Sequence, residues 1–157
     1  MTDDPRSRLV AEAEAIRTDA AVRDPWLLDL PVVGVGWATV ELERAARELA
    51  GVAGFGPAPR DAVLGATARR SPIGARNRPA VVLLEPDTEG LLAAALARFG
   101  EGVRAVYLGA LDRADVDDTP NLGPSRSGPL GPARLVIGRK PWGPHALVLA
   151  GVTRRRR

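Results

Sequence analysis

The sequence predicts an α+β domain in which a sheet packs helices on one face. Three segments carry apolar residues at helical spacing, and six others are short apolar runs rich in β-branched residues and bounded by glycine or proline. The predicted order is α–β–α–β–β–α–β–loop–β–β. A chain of 157 residues buries roughly two-thirds of its unfolded surface, so it needs no disulfide or structural metal to fold.

The first helix is predicted over residues 4–22. Asp4 can cap it, Pro5 suits its first turn, and one face is apolar through Leu9, Ala13, Ile16 and Ala20. The other face is charged, so we expect the helix to pack on the outside of the main body. Residues 1–30 are therefore predicted to form an N-terminal helix and connector, 31–152 the main domain, and 153–157 a basic tail.

The next elements alternate between strand and helix patterns. PVVGVGWATV, from Pro31 to Val40, is typical of a buried strand. ELERAARELAG has the clearest amphipathic helix pattern in the chain and is predicted to end at Gly51. Two strands are then predicted in DAVLGATARR and PAVVLLEP.

A third helix is predicted over 89–99, capped by Thr88 and followed by the loop Gly100 to Gly102. The strand VRAVYLGAL comes next. Residues 113–132 contain four prolines and several glycines, which predicts a long loop that is either functional or mobile. Two short strands, ARLVIG and HALVLAGV, complete the domain around the turn RKPWGP.

Composition narrows the function classes. The chain has no cysteine, which removes thiolate metal sites and cysteine nucleophiles. The net charge is only +3, and four arginines form the terminal run Arg154 to Arg157 while the others alternate with acids. Because phosphate binding favours a contiguous basic face, we expect no nucleic-acid partner. No secretory signal or ~20-residue apolar span is present, so we expect a cytoplasmic protein with no membrane partner.

Two stretches resemble the vicinal oxygen chelate superfamily, which includes glyoxalases, methylmalonyl-CoA epimerases and bleomycin-resistance proteins. They are GVGWATVELERAARELAG and VVLLEPDTEGLLAAALARFGEGVRAVYLG. The resemblance implies two βαβββ modules forming an open, cup-shaped mixed sheet, often completed in a homodimer. The second module is atypical, since DRADVDDTPNLGPSRSGP stands where its helix is expected.

The resemblance also implies a metal held inside the cup by His, Glu or Gln side chains. The corresponding positions here are Gly34, Val82 and Ala105, with a fourth around Leu147 to Leu149. Divalent metals of this kind need convergent nitrogen or oxygen donors, which these residues lack. The sequence therefore predicts a protein without a metal or other cofactor, and Gly34, Val82 and Ala105 become candidate ligand-binding positions in an apolar cup.

Two tryptophans are further candidate ligand-binding residues. Trp37 lies between Gly36 and Ala38, and an aromatic ring beside glycines makes a flat platform for a planar ligand. Packing in the core is the alternative. Trp142, in the turn KPWGPH, marks a ligand wall, an exposed turn or a dimer contact.

His145 and Tyr107 are the candidate catalytic residues. An unperturbed imidazole titrates near neutrality, so His145 is the first candidate for a general acid or base, with a structural histidine as the alternative. Strand alternation puts Tyr107 on the same face as Ala105, where its hydroxyl could orient a ligand carbonyl or lie at the rim. Glu85 is expected to point away from the face of Val82.

Three function hypotheses follow. The first is a metal-independent protein that binds an apolar or planar small molecule, such as a natural product or antibiotic, for sequestration or resistance. The second is a metal-free isomerase, lyase or cyclase. The third is an accessory module that docks on a protein partner through the N-terminal helix and the proline-rich loop.

Overall fold

The computed structural model describes residues 4–72, 78–109, 121–138, 140 and 142–149. The helices are α1 (Pro5–Ala21), α2 (Leu42–Glu48) and α3 (Leu91–Phe99), and a 3-10 helix spans Pro25–Asp29. The strands are β1 (Val32–Ala38), β2 (Gly56–Pro57), β3 (Ala66–Arg70), β4 (Ala80–Pro86), β5 (Gly102–Leu108), β6 (Ala133–Leu135) and β7 (His145–Leu149). Within these ranges, no helix combines the length and the apolar character needed to cross a membrane.

The seven strands form one mixed sheet in the order β2-β3-β4-β1-β5-β7-β6. It curls strongly into a half-barrel, which confirms the predicted α+β fold with a cup-shaped sheet. β1 and β5 run antiparallel at its centre with Val35 opposite Val106, and each has a parallel neighbour, β4 and β7 respectively. An approximate two-fold axis therefore relates the first half, β1-α2-β2-β3-β4, to the second, which contains β5, β6 and β7.

The sheet has a helix face and a concave face. On the helix face, α1 packs across β1, β5 and β7, and its apolar residues join Val35 and Val106 in one buried cluster. α2 lies on the same side, with Leu42 and Ala45 against Leu83. α1 therefore covers the outside of the sheet, as its amphipathic pattern predicted. The concave face carries the second large cluster, in which Leu92 of α3 joins Val82, Leu84, Ala105, Tyr107 and Leu147. The prediction that the helices pack on one face is therefore confirmed for α1 and α2 and is wrong for α3.

Element boundaries depart from the predictions at several places. The Asp4 cap is confirmed, since its Oδ1 accepts the Arg6 N–H at 3.2 Å. The Thr88 cap is wrong: α3 begins after Gly90, whose φ of 129° favours glycine. α2 ends at Glu48, three residues before the predicted Gly51.

The second predicted strand is shorter than expected, and β2 was not predicted. Residues 61–65 form a turn rather than a strand, because Asp61 Oδ1 accepts the Leu64 N–H at 2.8 Å and closes it. β2 has only two residues, too few to show alternation. It completes the βαβββ order of the first half.

The predicted loop 113–132 is only partly within the described residues. Its part from 121 onwards folds back along β6 through isolated bridges between Leu122 and Val136 and between Arg126 and Ala133. Residues 113–120 and the tail 153–157 lie outside the described ranges.

Candidate functional site

The four positions implied by the resemblance lie together on the concave face. Gly34 and Ala105 occupy equivalent places on the two central strands, and Val82 and Leu147 occupy equivalent places on the flanking strands. The approximate two-fold axis thus brings them to the middle of the half-barrel. Val82, Ala105 and Leu147 are completely buried.

These residues do not fit a divalent metal. A glycine, a valine, an alanine and a leucine offer no nitrogen or oxygen donor from their side chains. Across the described ranges, no group of three or more His, Cys, Asp or Glu side chains is arranged to hold a metal ion.

A hairpin covers the same place. In the segment 126–133, called here the hairpin, Arg126 and Ala133 exchange backbone hydrogen bonds of 3.0 and 2.8 Å. At its tip Leu130 lies against Gly34 so closely that a Cβ at Gly34 would overlap Leu130 Cδ1. The absent side chain at Gly34 is what gives Leu130 its room.

Tyr107 and Asp61 form a buried polar pair beside this contact. The Tyr107 hydroxyl donates to Asp61 Oδ2 at 2.6 Å, and neither residue is more than 1% exposed. Burial raises the pKa of the Asp61 carboxyl, against hydrogen bonds from Tyr107 and the Leu64 N–H that lower it. Burial and the Asp61 charge raise the pKa of Tyr107 well above its ordinary value. Tyr107 faces the concave side, as alternation predicted, but its hydroxyl is engaged with Asp61.

His145 belongs to the concave group. It pairs in register with Ala105 and lies two residues before Leu147 on the same strand, so its side chain shares the concave side of β7 with Leu147. It is 3% exposed. Its ring packs against the backbone of Gly143, where a Cβ would lie 2.9 Å from His145 Cδ2.

The structure places Trp37 on the helix face. It is half-buried and packs against the clusters that contain α1 and α2. The sheet separates its ring from Gly34 and Ala105, so the expectation that Trp37 faces the cup is wrong. The core-packing alternative describes its position.

Trp142 also lies away from the concave group. It lines a cleft of about 380 Å³ between the ends of α1 and α3 and the turn before β7. The Arg98 guanidinium carbon lies 4.2 Å from the Trp142 ring centroid and Lys140 Nζ lies 5.9 Å from it. Gly143 connects the two regions, because it lines the cleft and contacts the His145 ring.

Glu85 and Glu101 both hold the N-terminus of α2. Glu85 Oε1 accepts the Leu42 N–H at 3.0 Å, and Glu101 Oε2 accepts the Thr39 hydroxyl and the Val40 N–H, each at 3.0 Å. A hydrogen bond from Arg44 lowers the pKa of Glu101. These contacts are structural, and neither carboxylate belongs to the concave group.

Two residues of this region escaped the sequence analysis. Asp61 was placed in a strand, although the pattern Asp-Ala-Val-Leu-Gly is compatible with a side-chain-closed turn. Leu130 was treated as part of a structureless loop. It is the one large apolar side chain between Leu122 and Leu135, and that isolation was the available signal that it packs against the sheet.

Comparisons with known proteins identify the fold. A Streptomyces coelicolor methylmalonyl-CoA epimerase variant in complex with 2-nitronate-propionyl-CoA has a TM-score of 0.64 at 18% identity, covering 79% of this chain and 96% of that one. A methylmalonyl-CoA epimerase in complex with methylmalonyl-CoA and NH4+ gives 0.62 at 19% identity, covering 79% and 96%.

A Mycobacterium tuberculosis methylmalonyl-CoA epimerase has a TM-score of 0.60 at 15% identity, covering 76% of this chain and 87% of that one. No protein-family model and no curated protein matches the chain. At these identities the likeness shows the fold, which is the vicinal oxygen chelate fold that the two motifs resembled.

Proposed function

We propose that this chain is a metal-independent protein that binds an apolar or planar small molecule on the concave face, as a sequestering or resistance protein for a natural product or antibiotic does. The observation that carries this proposal is the symmetric set Gly34, Val82, Ala105 and Leu147, which is apolar throughout and lies where the resemblance implies a metal. Apolar walls with few polar groups are typical of small-molecule sites.

The hydrogen bond from the buried Tyr107 hydroxyl to Asp61 favours a binding role over a catalytic one. A general acid or base needs an accessible proton and a pKa near the working pH. The Tyr107 hydroxyl is buried, bonded to Asp61, and has a pKa raised far from neutrality. It therefore acts as a structural group that orders the floor of the site.

Metal analysis tests the first half of the proposal. Protein purified without chelator, dialysed and examined by plasma mass spectrometry should contain less than about one-tenth equivalent of any transition metal. A stoichiometric metal that survives dialysis would refute metal independence. Adding Zn²⁺, Co²⁺ or Mn²⁺ should leave the unfolding temperature unchanged, because a ligand that binds only the folded state would raise it.

Binding is tested with a neutral planar probe, N-phenylnaphthylamine, whose fluorescence rises in apolar surroundings. Ala105→Phe fills the concave face and should abolish the signal. Trp37→Phe, on the helix face, is the matched aromatic control and should leave affinity unchanged. If both variants bind like the wild type, the probe is not on the concave face and the site assignment fails.

A metal-free isomerase is the second candidate, favoured by the position of His145 in register with Ala105. Since neighbours of the fold bind methylmalonyl-CoA, the direct assay is exchange of its α-proton in deuterated water, followed by NMR. Exchange that falls at least about a hundredfold in His145→Gln, with KM unchanged, would select the enzyme. No exchange above the buffer rate supports the binding protein.

We also propose a cytoplasmic homodimer. Five large apolar side chains are exposed within the described ranges, namely Val22, Leu28, Val40, Phe99 and Ile137. Single exposed apolar side chains are common on monomers and do not by themselves mark an interface, so the dimer rests on the resemblance to the vicinal oxygen chelate superfamily. Sedimentation at micromolar concentrations should give twice the chain mass. A monomer that retains probe binding would refute the dimer alone, and absence of all small-molecule binding would favour the interaction-module alternative.

A further inference from the structure

The hairpin reaches across the open side of the half-barrel. Its base continues into β6, at one end of the sheet. At its tip, the Ser127 carbonyl accepts a hydrogen bond from the Ala62 N–H at 2.9 Å. Ala62 lies in the turn that precedes β3, near the other end of the sheet. The hairpin therefore connects the two ends of the sheet over the concave face.

Leu130 is the part of the hairpin that enters the concave face. Its Cδ1 fills the space left by Gly34, and the Tyr107 ring borders the same space, 3.1 Å from where a Gly34 Cβ would be. The hairpin thus occupies the volume that a concave-face ligand needs. Closing the face buries apolar surface that would otherwise contact water.

The base of the hairpin is fastened to β6, and its tip is tied to the β3 end of the sheet by the hydrogen bond from the Ala62 N–H to the Ser127 carbonyl. Arg134 Nε donates to the Gly123 carbonyl at 2.6 Å, and the Gly123 N–H donates to the Leu135 carbonyl at 2.8 Å. These two hydrogen bonds fasten the base of the hairpin to β6.

At the tip, Gly128 and Pro129 are buried and Leu130 is half-buried, whereas Ser127 is exposed. Opening therefore withdraws the three packed residues from the concave face and breaks the Ser127–Ala62 hydrogen bond, a local opening that costs less than global unfolding.

We propose that the hairpin is a gate for the concave site and that Leu130 is its plug, an inference that rests on the proposed function. The ligand enters when the Ser127–Ala62 bond breaks and Leu130 leaves Gly34. A branched alkyl group or a ring edge of the ligand then takes the place of the Leu130 side chain. Because the Tyr107–Asp61 pair beside it is already hydrogen-bonded, this part of the ligand is neutral and apolar.

The first test removes the plug. Leu130→Ala should bind N-phenylnaphthylamine about tenfold more tightly than the wild type, with a faster association rate, since the closed state no longer competes. Leu122→Ala is the matched control: Leu122 is a half-buried leucine of the neighbouring segment, but it packs against the helix-face cluster. Equal affinities for the wild type and Leu130→Ala would overturn the gate.

The second test locks the gate. The chain has no cysteine, so Ala62→Cys combined with Ser127→Cys gives a single disulfide that ties the tip to the β3 end. Oxidation should lower probe affinity at least tenfold and reduction should restore it, with thiol counting to confirm closure. An oxidised form that binds as the reduced form does would overturn the gate while leaving the proposed function intact. Failure of every form to bind, Leu130→Ala included, would refute both.

Discussion

The contact between Gly34 and Leu130 makes a quantitative prediction for a double-mutant cycle. In Gly34→Ala, the new Cβ overlaps Leu130 Cδ1 and lies 3.1 and 3.2 Å from two Tyr107 carbons. Overpacking of this kind costs about 1–3 kcal/mol of unfolding free energy. Leu130→Ala alone should cost about 1–2 kcal/mol, below the range for a fully buried leucine because Leu130 is only half-buried.

The double variant should lose less stability than the two single variants together. Leu130→Ala removes the atom that Gly34→Ala strikes, so the relief should be about 1 kcal/mol or more. The Tyr107 contacts remain, so the relief is incomplete. Coupling of this size is typical of residues in direct contact.

Urea unfolding followed by tryptophan fluorescence and circular dichroism measures the four free energies. Gly36→Ala is the control, since a Cβ there meets Ala105 Cβ at 2.9 Å and Leu84 rather than Leu130. Its cost should add to that of Leu130→Ala within about 0.5 kcal/mol. If Gly34→Ala and Leu130→Ala are additive within the same margin, Leu130 does not lie over Gly34 and the gate loses its structural basis.

Three further predictions concern polar side chains that hold the fold together. Tyr107→Phe should cost about 1.5–3 kcal/mol at neutral pH, because Asp61 loses a hydrogen bond to its charged form, and Asp61→Asn should partly rescue it in urea unfolding. The raised pKa of Asp61 makes the folded state bind the proton more strongly, so the contribution of Asp61 to stability is greatest at low pH and falls as pH rises above the ordinary aspartate value. Asp61→Asn should remove this slope from unfolding free energies measured between about pH 4 and pH 7. An unchanged slope would contradict the assignment. Glu101→Ala should cost about 1 kcal/mol, as loss of a helix cap does, whereas thermal unfolding of Glu48→Ala, which removes an exposed partner of the same Arg44, should match the wild type.

The sequence was sufficient where a contact follows from strand geometry. Alternation placed Tyr107 with Ala105 on one face, and it is a periodic property of a single segment that a pattern of residues can encode. The grouping of Gly34, Val82 and Ala105 came from the resemblance, and the strand register places these residues on neighbouring strands.

Sequence reasoning failed for contacts made by irregular segments. Leu130 meets Gly34 across almost a hundred positions of chain, and Asp61 meets Tyr107 across 46. Neither pairing has a spacing rule. The expectation that Trp37 faces the cup was wrong for a different reason. Its neighbours Gly36 and Ala38 suggested a pocket wall, but adjacent residues of a strand face opposite sides of the sheet. Trp37 therefore shares the helix face with Val35, while Gly36 and Ala38 face the concave side.

The absent metal donor at Gly34 and the presence of Leu130 depend on each other sterically. A ligating side chain at position 34 would project a Cβ and further atoms into the space that Leu130 Cδ1 occupies. A donor and the closed hairpin therefore exclude each other at this site. Gly34 accordingly has a positive role: it is the residue that lets the hairpin close over the concave face. Under the proposed gate, a ligand that enters displaces the Leu130 side chain, and the Gly34–Leu130 contact sets the apolar character of what can replace it.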